Sequence, residues 1–491
     1  MNPTAEGLEP FLLESKGMTG RYMALSYVWG SGLPLKLTNS TLGTFKAGIP
    51  WPSIPKTLQD AMTITHRLGL CYLWVDALTI VQDDEADWKI EAATMATVYS
   101  NAYLTIAATI SRSCEDGILK PRTISAHHAR FSLLNPRVPP EETAAHHPGE
   151  ISVRSAWPNN IRDYELHKRG WAFQESILSR RIIHYTSHEL LWQCRTCLAR
   201  ESRPVMKAVD PASEQQHTFL RPTGFPARDV ADSTAIHTMS QLWIRFVQGY
   251  TQRALTYESD KLPAILGIAR ALQGSGMGRY HAGVWESDPL IGLAWYSAAH
   301  ALGGSPSPSP THCRPRKHRA PSWSWASVEG PVRWYLYDRG WQYLRPPLAK
   351  CHVVGLSGEE LVLRGHSVAA VLQSNTCWSP PGPGEDDIGG SVSHGKLAVV
   401  GYGESVLFTD VVDTPQTHPR SDTPRGLART PLNVLCLRMG TQPESDGTEI
   451  SMALVLVPSS RRHGAYERVG ICHRLLASRF DGAEDRELLI I

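Results

Sequence analysis

Charge of one sign, long apolar runs and paired cysteines are all scarce in this 491-residue chain. Lys plus Arg number 49 against 47 Asp plus Glu, a formal net charge of +2. A balance so close to neutral leaves no broad basic surface for nucleic acid or anionic membranes, so neither is expected as a partner. No stretch reaches the roughly 18 uninterrupted apolar residues that a membrane-spanning helix needs. The opening MNPTAEGLEPFLLESKG has neither a basic n-region nor an apolar h-region, so a secretory leader is not expected. Nine scattered cysteines are an odd number and few for this length, which fits a reducing compartment and a cytoplasmic location better than a disulfide framework. There is no GxxxxGK[ST] phosphate loop, no HExxH and no GxSxG elbow, so a nucleotide-driven switch, a zincin centre and a serine-hydrolase elbow have no sequence support.

Tryptophan, by contrast, is abundant. Fifteen of them sit in short phrases such as YVWG, YLWVD, RGWAF and PSWSWA. Rings of this size anchor cores or line pockets, and cores are the commoner use. With 42% hydrophobic and 20% charged residues, the chain can bury a large core over several domains.

The first 200 residues alternate between strand and helix patterns. YMALSY (22–27) reads as a strand. A helix opens after Pro55, with Leu58, Ala61, Met62, Thr65 and Leu68 at helical spacing and Gly69 placed to end it. The apolar run CYLWVDALTIV (71–81) suits a strand buried on both faces of a parallel sheet, with Asp76 inside it. Asp83 and Asp84 are candidate caps for a second helix, whose stripe is Trp88, Ala92, Met95, Tyr99 and Ala102. YLTIAA (103–108) is the next strand, and a helix followed by a hairpin (RIIHY, ELLWQC) occupies 169–197. This order predicts an α/β open sheet with flanking helices and right-handed crossovers. Residues 112–165 read as loop and insertion, 201–235 as a surface excursion, and GGSPSPSP (303–310) as a linker. The expected domains are 20–200 (α/β), 236–300 (helical and mixed) and 320–491 (mainly antiparallel β, with loops at 379–390 and 413–431).

In open α/β sheets ligands bind outside the carboxyl ends of the strands. Ser26, Tyr27 and Trp29 follow the first strand, and Gln82 and Asp83 follow the second. Glu91 lies one turn into the next helix on the border of its apolar stripe. Partial desolvation there would tune a general acid or base, and a boundary carboxylate pairing with a nearby cation would occupy the same position. Asp76, an acid in an apolar run, needs a partner, and Arg169 is the first choice. Structural buttressing and ligand contact are both compatible with that pair. Trp171, Gln174 and Glu175 follow Arg169 and could converge on the same cleft. Cys194-x-x-Cys197 with His184 and His188 has zinc-type ligands, but on a hairpin the better reading is strand cysteines, and no metal or other cofactor is expected.

Three ordered blocks carry a resemblance: YMALSYVWG (22–30), the stretch from IPKTLQDAM to YLTIAAT (54–109), and RGWAFQESILSRRIIHYTSHELLWQC (169–194). Together they resemble the fungal heterokaryon-incompatibility (HET) domain family. RALTYESDKLPAILGIA (253–269), YHAGVWESD (280–288) and PSWSWASVEG (321–330) are similar to the tail that accompanies this domain. The resemblance implies a fungal source, non-self recognition after hyphal fusion, and regulated cell death. It also implies a fold related to the Toll/interleukin-receptor (TIR) domain. Some TIR-type domains cleave NAD with a glutamate on the helix after a strand, and by that analogy Glu91 is the position carried over; Asp76, from its place in the apolar run, is the second catalytic candidate. The family commonly has cysteine after the leucine of its WIDxLC phrase, where this chain has Leu78-Thr79. Two functions follow. One is a cell-death effector working through a protein partner or self-association. The other is a diverged enzyme acting on an NAD-like nucleotide or on a metabolite of a fungal secondary-metabolite pathway.

Overall fold

A computed structural model of the protein describes residues 7–30, 35–121, 161–194, 197–208, 233–273, 276–297, 317–334, 349–373 and 432–491, the strands 128–133, 149–154, 394–399 and 404–409, and residues 3, 4, 32, 315 and 344. The linker 303–310 and the loops 379–390 and 413–431 lie outside the described residues. The chain divides into two compact units, Met1–Gly224 and Phe225–Ile491.

The first unit is built on one seven-stranded sheet. Its strands are β1 (Tyr22–Ser26), β2 (Tyr72–Trp74), β3 (Leu104–Ala107), β4 (Arg181–Tyr185), β5 (Leu190–Cys194), β6 (Cys197–Arg200) and β7 (Arg203–Ala208). The spatial order is β7-β6-β5-β4-β3-β1-β2. β4, β3, β1 and β2 run parallel, and β5 to β7 continue the sheet as antiparallel hairpins. The expected α/β sheet is therefore present. β1 and β3 are the inner parallel strands, and all of Met23–Ser26 and Leu104–Ala107 is buried.

Two helices follow the predicted patterns. α1 (Lys56–Arg67) buries Leu58, Ala61, Met62 and Thr65, and Gly69 at φ +74° closes its end. Leu68 departs from its predicted place in the stripe: it is the C-cap and is exposed. α3 (Glu85–Asn101) is capped by Asp84, which accepts from Ala86 N–H and Asp87 N–H at 2.9 and 3.1 Å. Asp83 instead reaches out to Asn39, accepting from its backbone N–H at 2.9 Å.

The run 71–81 corrects the reading of a doubly buried strand. Only Tyr72–Trp74 is strand, it sits at the sheet edge, and Tyr72 is exposed. Asp76–Thr79 forms a short helix, α2. Two local bonds favour it: Asp76 Oδ1 accepts from Ala77 N–H at 2.7 Å, and Thr79 Oγ1 donates to Val75 O at 2.9 Å. Within the segment read as loop, His128–Leu133 and Gly149–Arg154 pair antiparallel.

A carboxylate that the sequence reading passed over ties this unit together. Asp60, buried on α1, accepts from Ile118 N–H at 2.8 Å and Leu119 N–H at 3.0 Å, and pairs with Lys56 at 2.5 Å. Gly117 has φ +73°, and a Cβ there would stand 2.8 Å from Asp60 Oδ2.

The second unit begins with α6 (Ser233–Thr251) and α7 (Pro263–Gln273) and continues into β structure. β8 (Cys351–Ser357), β9 (Glu360–Gln373), β10 (His394–Val399), β11 (Glu404–Thr409), β12 (Leu432–Pro443), β13 (Glu449–Pro458), β14 (Ala465–Leu476) and β15 (Glu484–Ile490) form its large sheet. The pairings β9-β10-β11-β14-β13-β12 return to β9, so six antiparallel strands close a ring. Closure removes the open edges that a flat sheet would expose. Cys436, Val455, Cys472 and Phe480 are part of one buried cluster on it.

Here the tryptophans serve as core. Trp243, Trp285, Trp295, Trp323, Trp325 and Trp334 are all buried. Trp243 and Trp325 donate their indole N–H groups to one acceptor, Gly283 O, at 3.0 and 3.1 Å. The phrases YHAGVW and PSWSWA thus meet through a single carbonyl. Gly283 has φ +103°, and a Cβ would come within 2.3 Å of Trp325 Nε1.

Two outcomes test this packing. Asp60→Ala leaves the buried Ile118 N–H unpaired at about 1–3 kcal/mol and frees the part-buried Leu119 N–H, and should sharply lower hydrogen-exchange protection at residues 57–65 and 118–119. Gly283→Ala should destabilise the second unit by at least 2 kcal/mol, on the order of an overpacked core site with a strained backbone, read as loss of tryptophan near-UV dichroism at a lower temperature.

Candidate functional site

The carboxyl ends of the parallel strands collect one guanidinium and two acids. Arg169 lies between α4 (Glu165–Lys168) and α5 (Trp171–Leu178), the latter packing on α3 and against β1. Its Nη1 donates to Tyr27 O, the carbonyl one residue past β1. Asp76 and Glu175 share its charge: Arg169 holds both carboxyls lower than burial alone would.

The two acids are not equivalent. Asp76 has two N–H donors, Ala77 N–H at 2.7 Å and the Trp29 indole at 2.9 Å. Burial still raises its pKa above the ordinary value, against the pull of Arg169 and these donors. Glu175 is 2% exposed, and its Oε2 has no hydrogen-bond partner among the described residues. Burial pushes it from 4.5 up to about 7; Asp76 adds to the rise, while Arg169, Ser26 and Tyr99 oppose it. Two carboxyls around one permanent cation leave room for one ionised acid. Asp76, with its donors, keeps the charge, and Glu175 takes the proton.

Two phenols complete the cluster. Tyr27 is 1% exposed, and burial followed by the adjacent Asp76 charge raises its pKa well above the ordinary value. Tyr99, buried on α3, donates to Leu25 O at 2.9 Å and stacks edge-on against Trp74 at 5.5 Å. Burial raises it strongly too, with Glu175 and Asp76 adding to the effect. The stripe pattern marked Tyr99 only as core. Its hydroxyl was the overlooked signal, since a buried phenol must find an acceptor.

The structure therefore brings Ser26, Tyr27, Trp29, Asp76, Arg169 and Glu175 together with Tyr99. Other candidates stand around this group. Gln82 Nε2 donates to Asp76 O at 3.2 Å and Ile80 O at 3.1 Å, holding the α2 turn. Trp171 packs edge-to-face on Trp88 at 6.4 Å, joining α5 to α3. Gln174 is buried on α5. Asp83 is exposed and bonded to Asn39. Glu91 is half-buried on α3; burial and then Asp87 raise its pKa, and Thr94 lowers it. Its described interactions are with those neighbours on its own helix. Thr79 uses its hydroxyl on Val75 O.

A second feature, unflagged in the sequence, lies in the other unit. Lys261 is buried beside a hollow of about 180 Å3 that Tyr250, Arg253, Glu258 and Glu329 also line. Burial brings its pKa down to about 8. The amine is engaged structurally, donating to Val328 O at 2.8 Å with Glu329 at 3.8 Å.

Among known proteins, residues 22–175 match the family model described as heterokaryon incompatibility protein (HET). No curated protein and no solved structure matches the chain. The matched segment runs from the first residue of β1 to Glu175, and so contains every member of the acid–guanidinium cluster.

The cluster makes stability depend on pH with a definite sign. The folded chain holds a proton on Glu175 that the unfolded chain has already released between pH 4.5 and about 7. The stabilisation is complete below that window and is lost as pH rises through it, a change on the order of 3 kcal/mol. Glu175→Gln should flatten this slope, leaving protection of the β1 and α5 amides similar at pH 5 and higher than wild type at pH 8. Hydrogen exchange at both pH values checks it.

Proposed function

We propose, from the match of residues 22–175 to the heterokaryon incompatibility (HET) family model, that the chain acts in non-self recognition and triggers regulated cell death. In this reading the fungal cell, after hyphal fusion, is the setting. The α/β unit works through a protein partner or through self-association, as a cytoplasmic module rather than a catalyst. The observation that carries the proposal is the family match itself. The burial of the cluster supports its non-catalytic form: Ser26, Tyr27, Tyr99 and Glu175 are all buried, and Ser26 and Tyr99 stand against the Glu175 carboxyl. A cluster of this kind braces the strand tips and does not hold a reacting atom.

A second reading has one specific observation behind it. Glu91 is half-buried on the helix that follows β2, with its pKa raised by burial. On the TIR analogy that is where an NAD-cleaving glutamate would stand, with Asp76 in support. A diverged enzyme of a secondary-metabolite pathway would use the same strand ends. In either case the ligand contacts would come from Ser26, Tyr27, Trp29, Gln82, Asp83, Arg169, Trp171, Gln174 and Glu175. The domain division at 20–200, 236–300 and 320–491 belongs to this proposal too, the later segments supplying recognition or restraint.

Induced expression of the full chain in a fungal host separates the readings. The signalling reading predicts growth arrest with NAD held steady, retained in Glu91→Ala and lost in Arg169→Met. Absence of arrest in wild type would overturn it. A fall in NAD before the arrest, abolished by Glu91→Ala, would replace it with the enzyme.

A further inference from the structure

Cys194 closes β5 and Cys197 opens β6. The ladder pairs Leu198 with Gln193, Ala199 with Trp192 and Arg200 with Leu191, which sets the two cysteines opposite each other at its end. Their Sγ atoms are 3.3 Å apart without being bonded. A disulfide needs about 2.05 Å, so the two sulfurs must approach by a little over 1 Å to bond. The two differ in access: Cys194 is half-buried and Cys197 is buried. Among the described residues no group of three or more His, Cys, Asp or Glu side chains is placed to hold a metal ion. His184 is turned elsewhere, its Nδ1 3.2 Å from Thr109 Oγ1 and its ring against His167. The pair stands as a dithiol.

We propose that Cys194 and Cys197 form a thiol–disulfide exchange site that reacts with low-molecular-weight disulfides of the glutathione type. The more accessible Cys194 attacks as thiolate. It forms a mixed disulfide with one half of the reagent and releases the other half as a thiol. Cys197 then attacks the Cys194 sulfur and expels the second half. The protein pair gives up two electrons and two protons, the reagent's S–S bond becomes two thiols, and one S–S bond forms across the hairpin. No further oxidant is required.

The placement makes the exchange reversible and local. Only two residues separate the cysteines in the sequence, so a cross-link between them removes little entropy from the unfolded chain and is weakly locked. Cys194 pairs with Arg181 at the start of β4, whereas the acid cluster lies at the other ends of the parallel strands. The site thus stands independently of the proposed function. The other thiols contrast with it: Cys436 and Cys472 are fully buried in the ring of strands, and burial pushes the Cys436 thiol up to about 12.

The test equilibrates the full chain in glutathione buffers of rising disulfide content, quenches with acid, alkylates and maps peptides by mass. The expected result is concerted loss of both thiols, with two hydrogens missing and no glutathione retained. Cys197→Ser should trap glutathione on Cys194, and Cys194→Ser should leave Cys197 open to alkylation. Both thiols remaining alkylatable at every ratio would overturn the proposal. So would glutathione trapped on Cys197, or a cross-link to another cysteine or a second chain.

Discussion

A guanidinium cannot discharge itself, so wherever the chain half-buries Arg169 it must supply negative charge nearby. That requirement shapes the carboxyl end of the sheet. Tyr27 O comes from the end of β1, Asp76 from the turn after β2, and Glu175 from α5. Three segments far apart in sequence are thereby held to one point. Because two acids face one cation, the point is saturated only when one of them is neutral. The environment selects Glu175, which lacks the N–H donors that Asp76 has.

The two units stabilise themselves differently. In the first, Trp29, Trp74, Trp88, Trp171 and Trp192 are half-buried. They serve polar ties and helix contacts, as when Trp29 donates to Asp76. In the second, the described tryptophans are buried outright, and Trp295 and Trp334 give their N–H groups to backbone carbonyls, Trp323 O and Ile291 O, both at 2.9 Å. Even the buried Arg468 fits this scheme, donating to Leu293 O and Trp295 O with its guanidinium 3.8 Å from the Trp295 ring centroid. A cation can be kept there because carbonyls and a ring face replace its water.

Periodicity carried most of the fold. α1 and α3, the strands β1, β3, β4 and β5 and the mainly antiparallel β character of the tail follow stripes or alternation visible in the chain, whereas β7 lies in the stretch read as a surface excursion. The Asp76–Arg169 pairing was legible because a lone acid in an apolar run needs a cation. What failed was local. CYLWVDALTIV looked like one strand because an apolar run of that length has no period of its own. The turn at Asp76 comes from hydrogen bonds of the Asp and Thr side chains to their own backbone, which hydrophobicity does not register. Asp60 and Tyr99 escaped notice because they sit within otherwise regular helical stripes. Their roles depend on partners at Ile118 and Leu25 that only the folded chain brings near.

The central claim is that one proton resides on Glu175 because two acids share Arg169. Infrared difference titration of the carboxyl stretch measures this directly in wild type, Glu175→Gln and Arg169→Met. The account predicts a buried carboxyl titrating near pH 7, absent in Glu175→Gln and shifted upward in Arg169→Met. Every carboxyl titrating below about pH 5, the range of unperturbed acids, would contradict it.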